Sequence, residues 1–271
     1  MKYNYTPTII NNDTSYSDDQ ESLLAGYLFH PSSISALLTE PKGKEDKENG
    51  RLSETAKTYL DEIKIQILTG RKKDFSNKYT EKGNINEEKS VEMLQEFLNW
   101  KYLSTNKNTI KNEFIIGTPD VIDGDTVIDI KSSYDIFTFS KADGLNDQYY
   151  IQLQCYMWLT GLKKARLVYV LTNSPDDILI QEKQRNLYWK YPNANGDETW
   201  YLEKEKELEM LHNYDDLPLS KKIKIFEYQY DENIIKELKS KIVKARFYLL
   251  GNENVSDFRC GGNLDRNNTY N

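Results

Sequence analysis

The chain has 271 residues, 38% of them hydrophobic, which suits one large globular unit with a substantial core. Its two cysteines, Cys155 and Cys260, are too few for a disulfide framework or a four-thiolate metal site, and no run approaches the roughly 20 apolar residues of a membrane span. Lys and Arg number 36 against 43 Asp and Glu, a formal net charge of −7 that excludes a surface binding nucleic acid everywhere but leaves room for a local basic groove.

Met1 to Asp19 is polar and lacks the apolar centre of a signal peptide, so it reads as an extended arm on a soluble, cytoplasmic protein. Glu21 to Leu38 offers apolar residues at helical spacing, with a second short helix starting at Pro31-Ser32-Ser33. Pro41 to Arg51 is charged and predicts a solvated loop, with a basic finger toward DNA as the other reading. Ser53 is a good N-cap for a helix through Ala56, Leu60, Ile63, Ile65 and Ile67 that stops at Gly70. The basic patch Arg71-Lys72-Lys73 follows, and with Lys78 it suits either a DNA path or a solvated surface. After a turn at Gly83, a helix from Ile85 to Trp100 is predicted to bury Val91, Leu94, Phe97 and Leu98, with Glu87 and Glu88 in its first turn.

Two strands come next, Glu113 to Ile122 and Thr126 to Ser132, joined at Asp123-Gly124, a dipeptide suited to a tight hairpin turn. Alternation along the strands puts Asp120, Asp129 and Lys131 on one face and Val121, Ile128 and Ile130 on an apolar one. As diagonal neighbours roughly 7–8 Å apart, the two aspartates can share a divalent cation. Ser132 to Asn146 reads as a loop, and Asp147 to Leu159 as a helix closed by Thr160-Gly161. Gln148, Gln152 and Tyr156 form a polar seam on that otherwise apolar helix. A buried strand, Ala165 to Leu171, then predicts a βαβ-like return. Helices from Asp176 to Tyr188 and around Glu203 to Glu209, a strand from Ile223 to Tyr230, a helix capped by Asp231 and running to Gly251, and a weakly ordered tail complete the chain.

Each site feature has a plain structural reading beside the chemical one. Asp120 and Lys131 suit a cross-strand salt bridge, Gln152 and Tyr156 an interhelix hydrogen bond, and Cys155 core packing; His30 and His212 lie far from the motifs. Their order is more informative: a helix glutamate (Glu87), a strand aspartate (Pro119-Asp120), an Asp-x-Lys (Asp129-Ile130-Lys131) and a Gln/Tyr helix.

That order resembles the PD-(D/E)XK nuclease superfamily and, more narrowly, its lambda exonuclease and YqaJ-like phage recombination exonucleases. The narrower resemblance rests on Glu81-Lys-Gly-Asn-Ile-Asn-Glu87, Gly117-Thr-Pro-Asp-Val-Ile-Asp-Gly124 and Tyr149-Tyr-Ile-Gln-Leu-Gln-Cys-Tyr-Met-Trp-Leu-Thr-Gly161, within a matching stretch from about Ser32 to Leu171. It implies an α/β, restriction-endonuclease-like core over residues 53–172 of a single domain 1–251, a central mixed sheet flanked by helices, helical additions at both ends, and a tail 252–271. It also implies a Mg²⁺-dependent (Mn²⁺-tolerant) 5′→3′ exonuclease on linear duplex DNA, a ring-shaped homo-oligomer and a single-strand annealing partner. Asp120, Asp129, the Ile130 carbonyl and Glu87 would hold the metal. Lys131 would orient or deprotonate water or stabilise the phosphorane, with Gln152 and Tyr156 beside it. One position departs from the pattern: the family commonly offers an arginine to the 5′-phosphate in a segment that here, Leu28-Phe-His-Pro-Ser-Ser-Ile34, contains none. An endonuclease or repair nuclease, and a non-catalytic DNA-binding module, remain as alternatives on the same core.

Overall fold

The computed structural model describes residues 16–73, 78–100, 102–103, 105–193, 196 and 198–251; most of the expected arm and the whole tail, with Cys260, lie outside the described residues. Helix α1 (Asp18–Ala25) opens with a capping box between Ser17 and Gln20. Phe29 bridges to Ile115, and the expected second short helix is a 3-10 turn, Ile34–Leu38. Where a loop is expected, α2 (Lys44–Glu48) forms at the surface, fastened by Lys47 to Glu40 at 2.6 Å and Arg51 to Asp46 at 2.9 Å. Helix α3 (Glu54–Thr69) starts at Ser53, whose hydroxyl accepts from Ala56 N, and buries Ala56, Leu60 and Ile63, whereas Ile65 is exposed.

The region around Glu87 departs from expectation. Gly83 lies inside helix α4 (Lys78–Ile85), and the break falls at Asn86, before α5 (Glu87–Phe97). Val91 and Leu94 are buried together with Met93, while Phe97 is exposed. The long strand expected before the hairpin is divided. Strands β1 (Ile110–Lys111) and β2 (Ile116–Gly117) make a small antiparallel pair, and β3 (Val121–Asp123) joins β4 (Thr126–Ser132) in the main sheet. The interruption contains Pro119, which has no N–H for a ladder.

Helix α6 (Ile136–Lys141) occupies part of the expected loop, with the Asp135 carboxylate accepting from Thr138 N at 2.6 Å. Then follow α7 (Asp147–Thr160), β5 (Lys164–Val170), α8 (Asp176–Lys183) with a π-helical turn Gln184–Tyr188, α9 (Thr199–Met210), β6 (Ile223–Gln229) and α10 (Glu232–Leu249). The main sheet has the order β3-β4-β5-β6. Its outer pairs are antiparallel and its central pair β4–β5 is parallel, so β4-α7-β5 is a βαβ unit in a mixed sheet.

Both faces of this sheet are covered. Val91 and Leu94 of α5 pack on Val121, Ile128, Val168 and Val170, while Leu153, Tyr156 and Met157 of α7 pack on Val127, Ala165 and Leu167. Behind α7, residues Leu24, Leu60, Leu238 and Ile242 of α1, α3 and α10 meet Ile151 and Cys155. Helix α7 is therefore apolar around most of its circumference because it has protein on both sides. The expectation of one apolar and one polar hairpin face is corrected accordingly: Asp129 and Lys131 share the α7 side with buried Val127. Among the described residues no helix is long and apolar enough to cross a membrane.

Candidate active site

The site is built from the hairpin outward. Asp123 pairs with Thr126, so the two-residue loop is Gly124-Asp125, one position later than expected. Gly124 has φ 55°, the positive value that a II′ turn requires at its first central residue. Val121 pairs with Ile128; extending that register by one residue sets Asp120 directly opposite Asp129, not diagonally. Asp120 itself lies just outside β3. Its backbone carbonyl accepts from Asn106 N at 2.6 Å, and its side chain Oδ2 accepts from Ile130 N at 2.7 Å. A carboxylate thus takes the place of a ladder carbonyl beside β4.

Asp129 is 0% exposed. Lys131 Nζ lies 2.8 Å from its Oδ2, an ion pair too poorly aligned to be a full hydrogen bond, so among the described residues neither Asp129 oxygen has an aligned donor. The same ammonium donates to Gln152 Oε1 at 3.2 Å and sits 4.8 Å from the centre of the Tyr149 ring. Gln152 Nε2 in turn donates to the Tyr156 hydroxyl at 3.1 Å. Asp129, Lys131, Gln152 and Tyr156 therefore form one chain of polar contacts under α7. The salt bridge considered for Lys131 exists, with Asp129 as its partner, and the Gln152–Tyr156 bond lies within one helix.

Electrostatics follow from this crowding. Burial, then the neighbouring Asp129 charge, push the Asp120 carboxyl up to about 7 against the opposing pull of Lys131 and the Ile130 N–H; Glu87 adds to the rise. Burial disfavours the Lys131 charge, but Asp129 and Asp120 outweigh it and raise the net pKa. Burial pushes the Tyr156 phenol up to about 12. The buried Asp129 and half-buried Asp120 carboxylates beside one ammonium, with Asp129 lacking aligned donors among the described residues, form a hard-oxygen donor set that fits a divalent cation.

Glu87 stands apart from this pair. It is exposed at the start of α5, near enough to act on Asp120, yet among the described residues no three His, Cys, Asp or Glu side chains gather as a metal-binding group. The other candidates divide clearly. Gln148 donates to Ser32 O at 2.8 Å and ties α7 to the N-terminal segment. Cys155 is buried, and burial raises its pKa. Lys78 pairs with Glu182 at 3.2 Å, and Lys73 with Glu62 at 2.5 Å. His212 binds Ser174 Oγ through Nδ1 at 2.8 Å, outside the cluster.

Sequence reasoning missed Tyr149 as the ring beside Lys131, although it lies three residues before Gln152 and so on the same helix face. It also left Gln154 without a role. That side chain is fully buried, donates to Gln229 O and accepts from Asp231 N, each at 2.8 Å, and clamps the β6–α10 junction to α7.

No protein-family model and no curated protein matches the chain. Solved structures do match. A phage-related exonuclease from Haemophilus somnus 129PT aligns with TM-score 0.66 and 27% identity over 83% of this chain and 95% of its own. An alkaline exonuclease from Laribacter hongkongensis aligns with TM-score 0.55 and 15% identity over 87% of this chain and 93% of its own, and its complex with dAMP gives 0.54 and 15% over the same shares. The resemblance to phage exonucleases drawn from the motifs thus holds in three dimensions, and the mixed, helix-flanked sheet it implied is the fold observed.

Proposed function

We propose that the chain is a metal-dependent deoxyribonuclease, a 5′→3′ exonuclease of the phage recombination type acting on linear duplex DNA in the cytoplasm of a bacterial or phage-infected cell. One observation carries this reading: Asp120, Asp129, Lys131 and Gln152 converge in a partly buried cluster, in a chain that shares 27% identity and its fold with a phage-related exonuclease. The ring-shaped homo-oligomer and the single-strand annealing partner belong to the same reading.

Mg²⁺, or Mn²⁺ in its place, would be held by Asp120, Asp129, the Ile130 carbonyl and, directly or through water, Glu87. When bound, it polarises the scissile phosphate and lowers the pKa of the attacking water. The chain's own groups do the rest. Lys131 stays protonated because the aspartates hold its proton, so it donates to a phosphate oxygen or orients the water and does not act as the base. Gln152 accepts from that ammonium and limits where it can point. Tyr156 accepts from Gln152, which leaves its own O–H free to donate to a phosphate oxygen.

The test is digestion of end-labelled linear duplex, with 5′-phosphate and 5′-hydroxyl ends compared, beside covalently closed circles. Expected is Mg²⁺-dependent release of nucleotides from 5′ ends of linear DNA only, with Lys131→Ala slower by at least about 100-fold. Cutting of closed circles would make the enzyme an endonuclease, a result toward which the arginine-free Leu28–Ile34 segment points. A Lys131→Ala variant as fast as wild type would overturn the mechanism.

A further inference from the structure

Lys82 is 0% exposed, although it lies on a helix at the edge of the α5 layer. Its Nζ donates to the Tyr134 carbonyl at 2.8 Å and to the Thr172 carbonyl at 2.8 Å, and lies 6.0 and 5.7 Å from the ring centres of Tyr134 and Tyr214. Among the described residues it makes no ion pair. Burying an ammonium without an ion-pair partner in contact is unfavourable, and here burial lowers its pKa to about 8 against the opposing pull of the more distant Asp135 carboxylate. The two carbonyls identify what the residue does in the fold. Tyr134 follows β4 by two residues and Thr172 follows β5 by two, so one amine gathers the chain leaving both central parallel strands.

Two neighbouring contacts repeat the pattern. Asn86 Nδ2 donates to Thr172 Oγ1 at 3.0 Å and to Asn173 O at 3.1 Å, and Ser90 Oγ lies 2.8 Å from Ser132 Oγ. Asn86 is the residue before Glu87. The first turn of α5 is therefore fixed to the strand ends on both sides of Glu87, whereas the apolar anchors Val91 and Leu94 lie farther along the helix. Glu87 itself is exposed.

We infer that Lys82, with Asn86, is a positioning residue: it fixes the α4–α5 junction against the ends of β4 and β5, so that Glu87 faces the Asp120–Asp129 pair. This rests on the nuclease reading above, in which Glu87 is the third carboxylate toward the metal. An amine that merely filled space could be exchanged for an apolar side chain of equal length without effect on metal binding.

The experiment uses the full chain and Mn²⁺ as the probe, with affinity read by calorimetry, and kcat and KM measured on linear duplex. Lys82→Met is expected to weaken Mn²⁺ binding about tenfold and to lower kcat while KM for DNA stays within about twofold. Glu87→Gln should do the same, and Lys82→Met combined with Glu87→Gln should be no worse than Glu87→Gln alone, because the lysine acts through the glutamate. Lys82→Gln, which keeps an N–H for one carbonyl, should restore part of the loss. Asn86→Ala, at a half-buried position, carries the same expectations and serves if the lysine variants do not fold. A folded Lys82 or Asn86 variant with wild-type Mn²⁺ affinity, or losses that multiply with Glu87→Gln, would overturn the inference. If the wild-type chain neither binds Mn²⁺ nor cuts DNA, the nuclease reading fails instead.

Discussion

Asp120 is where the cost of the site is concentrated. Its carboxyl is held near 7 by burial and by Asp129, whereas an unfolded aspartate titrates near 4. Between those values the folded chain keeps a proton that the unfolded chain has released, so its contribution to stability is full below about pH 4 and is lost as pH rises through about 7. Asp120→Asn removes the ionisation while its amide oxygen can still accept from Ile130 N, the bond seen at 2.7 Å. In EDTA the variant is therefore expected to be more stable than wild type at about pH 8 and little different at about pH 4, as read by urea unfolding. Equal stability at both pH values would show that the carboxylates do not strain the metal-free fold. That Asp120 and Asp129 share a face was legible from strand alternation, although their pairing directly across the hairpin was not. The ring of Tyr149 and the isolation of Glu87 were not, because both depend on how α7 and α5 are docked and not on their own periodicity.

The hairpin was legible as an element from its Gly-containing loop and strict alternation, but its register was not: the loop falls one residue later than expected and sets Asp120 directly opposite Asp129. What precedes it was misread as one strand. The β2 segment instead turns toward the Phe29–Pro31 segment, and Gly117 allows this: a Cβ there would lie 2.8 Å from Pro31 Cγ, 2.9 Å from Pro31 Cδ and 3.1 Å from Tyr156 Cε1. Neither ring can yield easily, because proline is rigid and Tyr156 is buried against the sheet. Gly117→Ala is accordingly expected to cost about 1–3 kcal/mol in chemical denaturation. It should also lower kcat, since a displaced Tyr156 would release the Gln152 amide that orients Lys131. A variant that is destabilised yet fully active would show that Tyr156 does not hold Gln152 for catalysis. Helices α2 and α6 were hidden for a different reason: each is a single short turn or two, below the length at which an apolar period is visible.

Across the layers, the sheet, α7 and the α1–α3–α10 group are stacked, and the candidate site lies only at the first of the two interfaces. The sequence made the outline of this stack readable, because α3, α7 and α10 are long and well capped and β5 and β6 run for seven residues each, but it did not show that α7 would be covered on both sides. A buried helix shows no one-sided stripe, so its partners cannot be read from its own pattern. The arrangement separates stability from catalysis in a measurable way. Leu153 and Leu238 are both 0% exposed, and replacing either with Ala should cost about 2–5 kcal/mol through lost burial and the cavity left behind. Leu153 is adjacent to Gln152 and packs α7 on the sheet that carries Asp129 and Lys131, whereas Leu238 packs behind α7 in the outer cluster. Assayed at a temperature where both variants are folded, Leu153→Ala should lower kcat by shifting Gln152 relative to Lys131, and Leu238→Ala should leave it near wild type. Equal loss of kcat in the two would mean that the outer layer and the site move as one body, because strain would then pass through α7 undiminished.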